Sequence, residues 1–111
     1  MRLLALLLFL PGVAQADHPV VEAVTVSGDT VSVTLSHPDT GWDHYADGWE
    51  MLDAAGNRLG LRVLLHPHVD EQPFTRTLSG ISIPQDADMI FIRSRCNVDG
   101  WTDQLFAVRL P

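Results

Sequence analysis

The chain has 111 residues, with 14 acidic residues against seven basic ones and a formal net charge of −7. That balance repels polyanions, so neither nucleic acid nor an anionic lipid surface is an expected partner. All seven basic residues are arginine, and the one cysteine, Cys96, has no second thiol in the chain, so no internal disulfide can brace the fold.

The N-terminal stretch carries one positive charge at Arg2, then the apolar run Leu3 to Leu10, a Pro11-Gly12 break and the small-residue pattern Ala14-Gln15-Ala16. That order is a secretory signal peptide over residues 1–16, with cleavage expected after Ala16. The apolar run is about half the length a membrane-crossing helix needs, so no membrane span is expected. Cys96 lies far from the cleavage point, which leaves no cysteine to carry the lipid of a bacterial lipoprotein. The expected product is free in the periplasm or secreted, with residues 17–111 forming one small domain.

After residue 16, short runs rich in Val, Thr, Ile, Leu and Phe are punctuated by Gly, Pro, Asp and Asn roughly every ten residues. The spacing predicts an all-β fold: a small antiparallel sandwich, immunoglobulin- or fibronectin-III-like, of about seven strands. Val20 to Ser27 and Val31 to Leu35 flank Gly28-Asp29 and read as a first hairpin. The aromatic loop 39–47 follows, then a third strand from about Gly48 to Asp53 that carries Trp49 as a core tryptophan. A turn at 54–57 leads into a fourth strand from Arg58 to about His66. Phe74 to Leu78, extended by Ile81-Ser82-Ile83, comes next, and Met89 to Arg93 and Leu105 to Leu110 supply the last two strands.

Register decides what the third and fourth strands carry. A three-residue connection with Gly56 in the left-handed conformation sets Asp53 opposite Asn57, or Ala54 opposite Arg58. Either pairing puts Trp49 and Met51 on one face with Leu59, Leu61, Val63 and Leu65. A slip of one residue would bury Glu50 beside Leu61 and Val63, at a cost of several kcal/mol unless the carboxylate is paired. The expected register keeps Glu50 with Arg62 on the opposite face and gathers His44, His66 and His68 at its far end.

Three imidazoles are the ligand count of an open zinc or copper site, and Asp43, Asp47, Asp70 and Glu71 lie close enough in sequence to ligate or to orient the rings. The alternative is a structural role, with Pro67 bending the chain and the imidazoles held by ordinary hydrogen bonds. Elsewhere the candidates are weaker. Trp42, Tyr45 and Trp101 fall in loops and form either a small binding patch or plugs over the end of the core. Asp70 or Glu71 pairs with Arg76 at the surface. His18, second after cleavage, does not complete the amino-terminal copper chelate, which needs histidine at position three. His37, before Pro38, reads as a turn cap, and Cys96 as a buried small hydrophobe or an intermolecular or reactive thiol. No Gly-x-Ser-x-Gly elbow, His-Glu-x-x-His or phosphate-cradling loop is present, so an enzyme is not expected.

The segments Gly41-Trp-Asp-His-Tyr-Ala-Asp-Gly-Trp49 and His66-Pro-His-Val-Asp-Glu-Gln-Pro-Phe-Thr-Arg76 resemble those of a family of small exported bacterial β-rich proteins with no activity attached. The likeness implies a signal peptide followed by one short β-domain, and it implies no functional residue. Members of that family tend to carry Gly-Trp-Gly-Gly where this chain has Gly100-Trp-Thr-Asp103. Together these readings predict an exported binding module that takes copper or zinc at the histidine cluster. The alternative is a metal-free domain that docks a protein partner in the cell envelope.

Overall fold

The computed structural model describes residues 17–111, so the leader expected over residues 1–16 lies outside the described residues. Eight strands follow in chain order: β1 (Val20–Ser27), β2 (Thr30–Ser36), β3 (Ala46–Leu52), β4 (Arg58–Val63), β5 (Phe74–Leu78), β6 (Met89–Cys96), β7 (Gly100–Trp101) and β8 (Phe106–Arg109). Among the described residues there is no helix, and so none long and apolar enough to cross a membrane. The expected antiparallel sandwich is the fold. One sheet has the order β1-β2-β5; the other runs β4-β3-β6-β7, with β8 pairing further along β6. The eighth strand is the short β7, inside the segment read from sequence as a loop.

Alternation explains the packing. β2 buries Val31, Val33 and Leu35 while Ser32 and Thr34 face outward to hydroxyl partners Thr77 and Thr75 on β5. β6 turns Ile90, Ile92, Ser94 and Cys96 inward, and β3 sets Trp49 and Met51 opposite Ser94 and Ile92. These rows, with Phe74, Leu64 and Ile81, make the core between the sheets. Trp49, fully buried as expected, is its largest member. Removing that side chain would cost about 3–5 kcal/mol.

The register between β3 and β4 is a correction. At the turn Asp53 does face Asn57, whose carbonyl accepts the Asp53 N–H at 2.9 Å, and Leu52 pairs Arg58. A bulge then intervenes, and Met51 pairs Gly60, Glu50 pairs Leu61 and Trp49 pairs Arg62. One extra residue, Leu59, reverses the parity of the rest of the strand. Leu61, Val63 and Leu65, expected in the core, are exposed, while Leu64 is buried.

The expected register keeps Glu50 out of the interior. In fact Glu50 is only 1% exposed and is doubly paired, to Arg58 at 2.7 Å and to Arg93 at 2.5 Å. Arg93 stands directly opposite it on β6. The penalty of an unpartnered carboxylate therefore never arises. Gly60, the first residue paired after the bulge, packs closely under Leu78, whose Cδ2 would meet a Cβ there at 2.8 Å.

Candidate metal centre

Antiparallel pairing sets the start of β3 beside the end of β6, and Ala46 pairs Cys96. The connection from β2 to β3 crosses between the sheets at this same end of the sandwich, carrying His37 just after β2 and His44 just before β3. Cys96 continues the inward row Ile90, Ile92, Ser94 to its last position, so its thiol points into the end of the core rather than to solvent.

Asn97 fastens the crossing loop above the thiol. Its side-chain carbonyl accepts the Tyr45 N–H at 2.8 Å, its amide donates to the Trp42 and Asp43 carbonyls, and its own backbone N–H donates to the Tyr45 carbonyl. A tight turn spanning Gly41 to His44 completes the loop, with the His44 N–H donating to the Gly41 carbonyl at 3.2 Å. The outcome is that His37, His44 and Cys96 each offer one donor atom within 4.8 Å of the others, the one such set of three among the described residues.

His37 and Cys96 each have supporting contacts. His37 and Asp39 are both buried, and the His37 Nδ1–H donates to Asp39 Oδ1 at 2.5 Å. The carboxylate holds one ring nitrogen, and the other, Nε2, lies 2.6 Å from the Asp17 carbonyl. Asp39 is fixed in turn: Oδ1 also accepts the Ala46 N–H and Oδ2 accepts the His68 N–H. His44 Nε2 is buried and has no hydrogen-bond partner, and Asp99 Oδ2 stands 3.8 Å away. One imidazole nitrogen of the cluster is thus left without a hydrogen bond, as is His68 Nδ1 in the other histidine pair.

Cys96 sits at the head of a tight turn closed by Gly100 at φ 72°, a conformation that favours glycine. The turn aims the Asp99 N–H at Cys96 Sγ, 3.2 Å away, and the thiol in turn donates to Asp99 Oδ2 at 3.5 Å. Burial pushes the thiol's pKa up, and the N–H contacts from Asp99 and Val98 oppose that without overcoming it. The group is therefore a thiol until a cation takes the proton's place.

The other sequence candidates fall elsewhere. His66 and His68 do stand together, with ring centroids 4.6 Å apart, but they are not in the set with His44. His68 stacks on Phe74 at 3.9 Å, and Arg76 donates to its Nε2 at 2.6 Å. Burial and then the Arg76 charge lower its pKa below the usual 6.5. The anticipated trio depended on the register that the Leu59 bulge overturns. Asp43 and Asp70 are exposed, and Glu71 lies 3.9 Å from Arg76 as the sequence suggested. Trp42 is 65% exposed and packs edge-on against Tyr45. Trp101, expected in a loop, is on β7 with the guanidinium groups of Arg58, Arg93 and Arg95 within 5.8 Å of its ring.

Sequence reasoning missed His37 and Cys96. The available signal was chemical: a His-Pro-Asp segment supplies an imidazole with its own carboxylate, and a Cys-Asn-Val-Asp-Gly turn supplies a thiol with a carboxylate three residues on. Neither shows periodicity, and only tertiary topology joins them.

No known protein-family model matches the chain. A protein of Halomicrobium mukohataei that bears the name "Putative lipoprotein" is 42% identical over 77 residues, which make up 69% of this chain and 37% of that protein. This chain thus spans little more than a third of that relative's length. Among solved structures, a hypothetical protein of Pyrococcus horikoshii OT3 aligns over 87% of this chain and 90% of its own, with 18% identity and a TM-score of 0.51, a likeness of fold. A superoxide reductase in its oxidised state aligns over 87% of this chain and 91% of its own, with 14% identity and a TM-score of 0.46.

Proposed function

We propose that the protein is an exported transition-metal-binding module whose ion is held by His37, His44 and Cys96, with Asp99 as a fourth donor. The observation that carries this is the convergence of two imidazoles and a thiol within 4.8 Å, drawn from three separate places in the chain. Two nitrogens, one sulfur and a carboxylate oxygen suit zinc or copper better than magnesium or calcium, which take oxygen ligands. Asp39 orients His37, and the Asp99 N–H would stabilise the Cys96 thiolate once it forms. The leader-like segment Met1 to Ala16 supports export, as does the name of the Halomicrobium relative.

Titration with Co(II), a spectroscopic stand-in for zinc, tests the reading. The expected result is one equivalent bound with a thiolate-to-cobalt charge-transfer band that is absent from Cys96→Ser. No binding, or binding with no such band, would overturn the assignment.

A further inference from the structure

The residue that cleavage would expose lies against this cluster. The Asp17 carbonyl oxygen is 2.6 Å from His37 Nε2, and the Asp17 nitrogen is 3.2 Å from Asp99 Oδ2. Asp99 Oδ2 is in turn 3.8 Å from His44 Nε2 and 3.5 Å from Cys96 Sγ. Donors bound to one first-row ion at about 2.0–2.3 Å stand roughly 3–4 Å from each other. The Asp17 nitrogen therefore keeps the spacing of a ligand sharing an ion with Asp99, while the Asp17 carbonyl lies at hydrogen-bond distance from His37.

The other backbone contact fixes Asp17 against the cluster, since its carbonyl lies within hydrogen-bond distance of His37 Nε2, at 2.6 Å.

We propose that the α-amino group released at Asp17 by signal-peptide cleavage is itself a metal ligand, joining His37, His44, Cys96 and Asp99. This rests on the metal-binding reading above. A signal peptidase adds water across the Ala16–Asp17 bond, leaving a carboxyl on Ala16 of the departing leader and an amine on Asp17. Before that step the Asp17 nitrogen belongs to an amide, whose lone pair is delocalised into the carbonyl and is a poor donor. Afterwards it is an amine of pKa about 8 that gives up one proton on coordination. Processing and tight metal binding are thereby coupled: the precursor holds a weaker site, and the exported form completes it.

The absence of lysine makes the test selective, because the α-amine of the processed chain is then its one primary amine. The full chain is expressed with its own leader, recovered after export and split into two samples, one acetylated with an amine-reactive ester. Both are titrated with Co(II) against a competing chelator. The expected result is a mass beginning at Asp17, Co(II) affinity reduced about ten-fold or more by acetylation, and slowed acetylation when Co(II) is already bound. Equal affinity in the two samples, with the thiolate band present in both, would overturn the role of the terminus and leave the His37, His44, Cys96 site standing. No binding in either sample would overturn both. A mass beginning elsewhere than at Asp17 would also overturn the proposal, and a variant extended by one glycine before Asp17 is expected to behave like the acetylated sample.

Discussion

Two pairs of histidines lie in this molecule, and their surroundings give them opposite chemistry. His37 and His44 stand with ring centroids 4.7 Å apart, edge to face, beside a buried thiol, and one nitrogen of His44 has no partner. His66 and His68 are just as close, and His68 Nδ1 is likewise without a partner, yet a guanidinium occupies His68 Nε2 and a phenyl ring covers its face. A cation beside an imidazole works against a second cation there. What separates the pair proposed as ligands from the other pair is the charge and hydrogen bonding of the next atoms out. Spacing along the strand does not distinguish them.

The largest effect that could break this contrast comes from the ligands themselves. Cys96→Ser and His44→Ala should each weaken Co(II) binding by at least about 100-fold, whereas His66→Ala should leave it within roughly two-fold. Competition titrations of the three variants check this; loss of binding in His66→Ala would assign the ion to the wrong pair. Next in size is Asp39→Asn. Asp39 serves both regions, orienting the His37 ring and accepting the His68 N–H. Its replacement should cost about 10–100-fold in metal affinity. Denaturant unfolding should show a loss of about 1–3 kcal/mol, since an amide nitrogen would then face a backbone donor.

The smallest effect concerns His68 alone. Its pKa is depressed in the folded state below the ordinary 6.5, so the unfolded chain takes up the proton first. The stabilising contribution of the neutral ring is therefore fully present above about pH 6.5 and fades as pH falls from there through the lower folded value. Unfolding midpoints at about pH 7.5 and 5.5 should fall further for the native chain than for His68→Gln. Equal drops would mean that the ring charges freely in place.

The same contrast shows what was legible in the sequence. The strands were, because alternation such as Val31-Ser32-Val33-Thr34-Leu35 reports a half-buried sheet directly. The turn geometry at Gly56 was also readable, including Asp53 opposite Asn57. The bulge at Leu59 was not. It depends on Gly60 fitting beneath Leu78 and on Arg93, from a strand remote in sequence, neutralising Glu50. A single inserted residue changed the face assignments on β4 beyond Leu59, and with them the place of His44 relative to His66 and His68. Reading His37 and Cys96 as ligands needed the knowledge that the β2–β3 crossing and the end of β6 share one end of the sandwich, which no local pattern encodes.

The most direct measurement is of the imidazole nitrogens themselves, by long-range proton–nitrogen NMR of the labelled protein as Zn(II) is added. The account predicts that one ring nitrogen each of His37 and His44 moves to the shift of a metal-bound imidazole while the His66 and His68 resonances stay where they were. Movement of His66 and His68, with His37 and His44 unchanged, would contradict it.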